Sequence, residues 1–315
     1  MVLCFQGLLP ALFPFCIISS LLLSSEKFLF LCEKIPVCRP FKLSAACTTP
    51  LVIGCLFGFP LGGRAAAELF HKGRISRDEG EFLLGLANNS GPALAMSVAA
   101  SFWKSRYFGI YLYAAQIISA FLSGIILRST CKNSNKTENM VANTEPLTKS
   151  ISFTEAVSGA VFSCLTVCGF VCCFSVIISL IEALCKSTFA AGVLAGILEV
   201  SSGMKRAAVI GGNFGQFLCG FSFGFSGISV LCQVSSYARP LGLKMRKAII
   251  QKLLEGIFCG LLSLIPSLPE VSTSSSVFFS VSPLYSLPCG ALIAMFFLKN
   301  ITERHKIKKS LDLWQ

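Results

Sequence analysis

From Val157 to Ile181 the chain runs VSGAVFSCLTVCGFVCCFSVIISLI without a charged residue. About 20 apolar residues suffice for a helix to cross the hydrocarbon core of a bilayer. Comparable stretches lie at residues 2–25, 107–127, 248–265 and 277–298. The whole chain is 54% hydrophobic and 13% charged, whereas a soluble domain carries about 25% charged residues. Lipid offers backbone amides no partners, so segments of this kind span as helices. The composition therefore specifies an all-α, polytopic membrane protein.

The formal charge of +12 could suit nucleic acid, but the cations are spread over short segments between apolar runs. That distribution marks the cytosolic loops of a membrane protein and excludes nucleic acid as the expected partner. Sixteen cysteines suggest a disulfide framework, yet no CxxC occurs and most lie inside apolar runs, where cysteine acts as a small hydrophobe. Cys164, Cys168 and Cys172 share one helical face, which reads either as helix packing or as a soft-metal relay. His71 and His305 lie in charged segments, so no histidine metal site and no cofactor is expected.

Four further apolar segments are interrupted by Gly, Pro, Ser or Asn: 45–71, 81–103, 188–204 and 207–235. The polar stretch 128–150 divides the chain, and the halves echo each other. FCIISSLL at 15–22 matches FSVIISLI at 174–181, GGRAAA at 62–67 matches GMKRAA at 203–208, and GEFLLG at 80–85 matches GQFLCG at 215–220. If 45–71 and 188–204 enter the bilayer and turn back, most of the 27 Lys and Arg fall on the cytosolic side, in 26–42, 62–80, 128–150, 236–252 and 299–315. Three crossings in the first half then invert the second. The expected fold is an inverted repeat with broken, re-entrant helices, about seven crossings plus two hairpins. Met1 opens directly on an apolar segment without an orienting basic flank or a signal-peptide cleavage site, so either the true start or an additional helix is expected upstream.

Chain breaks at membrane depth are tolerated only inside protein or beside a watery cavity, and inverted repeats with broken helices place solute sites near the midplane. The break residues are Gly58, Pro60, Gly62, Gly63, Pro92, Gly203 and Gly227. Asn88, Asn89 and Ser90 supply donors and acceptors before Pro92; Ser201, Ser202 and Ser226 are the counterparts in the second half. These segments read either as a solute site or as close helix packing, for which five GxxxG spacings speak. Glu199 is costly in lipid and has two readings. One is a solute acceptor or a proton or cation site; the other is a salt bridge to Lys205 or Arg206. Gln216 and Gln233 line the path or satisfy neighbouring backbone. Arg64 and Glu68 are spaced for a solvated helix face, and Ser76 with Glu79 form a capping box. There is no nucleophile–base constellation, P-loop or HExxH, and an enzyme is not expected.

Together LLPALFPFCIISSLL, GFPLGGRAAAELFHKGRISRDEGEFLLGLANNSGP, LEVSSG and GFSGISVLCQ resemble the bacterial sporulation integral membrane proteins that carry a nucleoside-recognition Gate domain, over roughly residues 5–265. The resemblance implies a multi-pass protein of the cell membrane in a sporulating bacterium, a role in spore cortex formation, and distant kinship with concentrative nucleoside transporters. On that reading residues 1–127 form a first Gate-like repeat, 128–150 a polar cytosolic linker, 151–265 the second repeat, and 266–315 a C-terminal transmembrane helix with a basic tail. The chain departs from the family in lacking a further N-terminal apolar helix. The carried-over solute residues are Asn88, Asn89, Ser90, Glu199, Ser201 and Ser202. Two functions follow: a transporter- or channel-like protein for a small polar solute, or a non-transporting scaffold that positions spore-envelope proteins. Membrane lipid is a partner in both; a homo-oligomer or an assembly with other sporulation membrane proteins is left open.

Overall fold

The computed structural model describes residues 9–103, 106–130, 151–185 and 187–266. The expected crossing at 277–298, the basic tail and most of the 128–150 linker lie outside them. Among the described residues every regular element is helical.

Helix α1 (Leu9–Leu23) meets α2 (Glu26–Glu33) at an 84° bend. Two serines make the corner. The Ser24 hydroxyl donates to the Leu21 carbonyl at 2.8 Å, and the Ser25 hydroxyl accepts from the Phe28 amide at 3.4 Å as the N-cap of α2. Short 3-10 turns then lead into α3 (Thr48–Phe57) and α4 (Leu61–His71), which pack on each other as a hairpin. Gly58 ends α3 at φ 81°, a left-handed conformation that glycine adopts without strain.

The Ser76–Glu79 capping box forms as expected and starts α5 (Arg77–Leu86). Helix order lapses over residues 87–91 and resumes in α6 (Pro92–Phe102), where proline opens the first turn and its missing N–H costs nothing. Helix α7 (Arg106–Thr130) closes the first half.

The second half begins at residue 151. Helix α8 (Phe153–Leu184) starts on a Ser152–Glu155 capping box. Helices α9 (Thr188–Leu198) and α10 (Val200–Ile210) form a hairpin turning at Glu199. Helices α11 (Gly212–Phe225) and α12 (Gly227–Ala238) are separated by Ser226 at φ 69°. Helix α13 (Arg246–Ser263) follows. All four interruptions fall in the segments that the Gly, Pro, Asn and Ser content marks.

Three stretches are long and apolar enough to cross a membrane: Tyr107–Thr130, Phe153–Leu184 and Gly212–Leu241. The bent α1–α2 pair makes a fourth if counted as one span. Helix α13 does not join them, although its sequence suggested a clean crossing, because it carries Arg246, Lys247, Lys252 and Glu255.

Helix α1 packs on α8, α7 on α13, α4 on α12 and α10 on α6, so each half lies against the other. Glycines set the closest approaches. A Cβ on either Gly54 or Gly62 would stand 1.8 Å from the Ala87 carbonyl oxygen, so the first hairpin closes directly around that group.

The Arg64–Glu68 expectation is corrected. Glu68 pairs with Lys72 at 2.9 Å, while Arg64 turns inward and donates to Ser163 at 2.8 Å and Ser20 at 3.1 Å. The guanidinium thus ties α4 to α8 and α1 rather than facing solvent. No disulfide joins the described cysteines, and Cys164 approaches Cys16 at 4.0 Å between α8 and α1.

Candidate functional site

A helix that stops inside a membrane leaves carbonyls without partners, and the protein must supply donors from elsewhere. At the end of α5 the donors come from two sides. The Asn89 amide donates back to the Leu86 carbonyl at 3.0 Å. The Asn88 carbonyl accepts from the Lys252 ammonium on α13 at 2.9 Å. A cation at a helix C-terminus is also favoured by the dipole.

Near the end of α11 the Phe223 carbonyl accepts from the Ser90 hydroxyl at 3.1 Å and from the Gln116 amide on α7 at 3.4 Å. Ser90 belongs to the first break, and Phe223 to the last turn before the second. The two interrupted helices therefore meet.

Lys252 reaches one other group. Its ammonium stands 2.8 Å from Glu255 Oε1, and both side chains are 0% exposed. Gln116 Nε2 adds a contact to the same oxygen at 3.4 Å. Asn88, Ser90, Gln116 and Gln251 are equally buried. Both side-chain atoms of Asn88 and of Gln251, Gln116 Oε1, Asn89 Oδ1 and Glu255 Oε2 have no hydrogen-bond partner within the described protein. Each unpaired buried polar atom costs on the order of 1–3 kcal/mol, so a water or a polar ligand is held most strongly at these atoms.

The hairpin tips frame the cluster. A Cβ on Gly58 would lie 2.5 Å from the Gly91 amide nitrogen, and one on Gly227 would lie 3.0 Å from the Leu198 carbonyl oxygen. Each tip is thus seated on the break of its own half. In the second half Ser222 Oγ and Ser226 Oγ are fully buried and without partners among the described residues.

Glu199 takes a role outside both sequence readings. Its Oε1 accepts from the Ser201 amide at 2.9 Å and its Oε2 from the Ser202 amide at 2.7 Å, which makes it the N-cap of α10. The salt-bridge alternative is corrected, because Arg206 pairs instead with Glu182, its Nε donating at 2.7 Å. Ser201 and Ser202 contribute through their backbone amides. Gln233 contacts Ser229 on its own helix at 3.5 Å, and Gln216 donates to the Ser263 carbonyl at the end of α13 and to that of Pro266 beyond it, the latter at 2.7 Å. Neither is part of the cluster around Lys252.

Lys252, Glu255, Gln116 and Gln251 were missed by sequence reasoning, which took 248–265 as uniformly apolar. The available signal was the i,i+3 pair inside IIQKLLEGIFCG. Two opposite charges one turn apart in an apolar run mark a pair that stays buried only by matching each other.

A second charged group gathers at the start of α5, the start of α13 and the end of α7. Asp78 at the start of α5 meets Arg128 of α7 at 2.5 Å and also Lys247 of α13. Arg74 pairs with Glu26, and Glu79 accepts from the Ser44 amide at 2.7 Å. Burial pushes the Asp78 carboxyl up, but hydrogen bonds and charge from Lys247 and Arg128 outweigh it, and the net shift is downward. Glu79 is likewise lowered; burial opposes, and the amides of Ser76 and Ser44 prevail.

Long apolar helices packed beside interrupted ones define an integral membrane protein. One comparison adds a relative. Over 123 residues the chain is 32% identical to Sporulation integral membrane protein YlbJ of Bacillus subtilis (strain 168), covering 38% of this chain and 30% of that protein. The similarity supports a distant tie to a family of sporulation membrane proteins. No family model and no solved structure matches the chain.

Proposed function

We propose that the protein is a multi-pass, transporter- or channel-like membrane protein of sporulation that passes a small polar solute through the cluster between its helix breaks. The observation that carries this reading is the meeting of the two breaks, Ser90 on the Phe223 carbonyl and Lys252 on the Asn88 carbonyl. A scaffold needs helices that pack; it has no need of seven orphaned polar atoms at their crossing. Asn88, Asn89 and Ser90 bind solute in the first half, with Ser226 and the Glu199 tip opposite.

The architecture behind it is an inverted repeat of about seven crossings and two re-entrant hairpins, in the Gate-domain manner. In its support, α1 to α7 and α8 to α13 share one order of long helix, hairpin, broken helix and long helix, α2 being an extra piece in the first half. Ion pairs join Arg74 to Glu26, and separately Asp78 to Arg128 and Lys247. Those residues come from four of the segments assigned to the cytosolic side. Sporulation is the process served, by likeness to the Bacillus relative, and spore cortex formation is the finer role in this reading. The protein is not an enzyme in this reading.

The test is an Asn88→Ala, Ser90→Ala double variant in sporulating cells of the native host. Transport predicts loss of mature, heat-resistant spores at normal abundance and location. Normal spores from that variant, together with spore defects from charge changes in 62–80, would instead establish the scaffold.

A further inference from the structure

We propose that Glu255 is a proton-binding site, and that its protonation, by releasing Lys252, couples the solute path to the proton gradient; the coupling part rests on the transporter reading above. The two carboxylate oxygens of Glu255 are unequal. Oε1 receives Lys252 at 2.8 Å and Gln116 at 3.4 Å, while Oε2 has no partner among the described residues. An ionised carboxylate with one bare oxygen in a fully buried site is poorly solvated. A proton on Oε2 converts that oxygen into a donor. Acceptors are close at hand, because Gln116 Oε1, on the amide already in contact with Glu255, is itself unpartnered.

The step balances simply. A hydronium ion gives its proton to Oε2, a water molecule leaves, and the carboxylate becomes a neutral acid. Lys252 keeps its own proton and its bond to the Asn88 carbonyl, so the pair changes from net neutral to net positive. A lone cation in this surrounding is costly, and the cluster relieves it by admitting water or solute beside Asn88. Proton binding and opening of the break thus favour each other. The cluster is closed at 0% exposure, so proton and solute alike enter only as it opens.

The titratable groups facing Glu255 come from two helices. They are Lys252 and Cys259 on α13 and Cys55 on α3. Lys252 is the one charged group among them, so the response to pH runs through the pair.

The experiment is pH-difference infrared spectroscopy of the full chain in lipid vesicles, run on wild type, Glu255→Gln and the double variant Lys252→Met, Glu255→Gln. The double variant removes both charges and guards against misfolding of the single one. The expected result is a buried carboxylic-acid carbonyl band that grows as pH falls from about 8 to about 5 in wild type and is missing from both variants. A flat wild-type spectrum in that region, or a band that persists without Glu255, overturns the site. The coupling is read separately in sporulating cells. Glu255→Gln must abolish mature spores at normal abundance; if it sporulates normally while Asn88→Ala, Ser90→Ala does not, coupling fails and transport stands. If both variants sporulate normally, the transport reading itself falls.

Discussion

The ammonium of Lys252 lies 2.9 Å from the carbonyl oxygen of Asn88 and does for a broken helix what its next amide would have done. One side chain therefore holds two costs in balance: an open helix end and a buried carboxylate 2.8 Å away.

Replacing Lys252 by Met removes the cation and strands Glu255. Breaking a buried pair from one side costs about 3–5 kcal/mol, so K252M should unfold well below wild type in detergent thermal scans. The double variant K252M/E255L should recover much of that loss. A double-mutant cycle with additive effects would refute the pairing.

Ser90→Ala leaves the Phe223 carbonyl with only the long Gln116 contact. The expected loss is about 1–2 kcal/mol, seen as a lower unfolding midpoint, while Ser90→Thr keeps the hydroxyl and should cost less.

Gly54→Ala puts a Cβ 1.8 Å from the Ala87 carbonyl, where nothing flexible can give way. Overpacking of this kind costs at least about 1–3 kcal/mol. Gly169→Ala is the control, since no atom lies within 4 Å of its added Cβ. There the helix gains about 0.5–1 kcal/mol. The pair should shift thermal midpoints in opposite directions.

Acid should loosen the charged end. The folded-state pKa values of Asp78 and Glu79 are depressed, so their stabilisation is present above the ordinary carboxylate values of about 4 and is lost as pH falls through the depressed ones. Asp78→Asn should lower the midpoint at neutral pH, and its difference from wild type should shrink below about pH 4.

Glu199→Ala deletes the N-cap of α10 and should cost about 0.5–2 kcal/mol. Glu199→Gln retains one acceptor and should cost less. Equal losses in unfolding scans would argue against capping as the role of this acid.

The breaks were legible in the sequence because Gly58, Asn88, Ser226 and their neighbours are poor helix formers inside apolar runs. Asn88 and Ser90 were legible for the same reason. Lys252 and Glu255 were not, since leucines and isoleucines around them kept the segment apolar on average. Their meaning depends on α13 crossing α5 and α7, a long-range contact that no local pattern encodes. Glu199 was noticed for its cost in lipid, but its partners were two residues away in the backbone, nearer than any cation that charge arithmetic proposes. Arg64 was misread because Glu68 stands at the right spacing, while the serines that receive it come from α1 and α8.

The grip of Gly54 and Gly62 on the Ala87 carbonyl has a mechanical consequence. Backbone on backbone leaves no slack, so the first hairpin and the end of α5 travel as a single piece. The seam between that piece and α11 is stitched by one serine hydroxyl. Any movement of that piece against α11 must first give up the bond between Ser90 and Phe223.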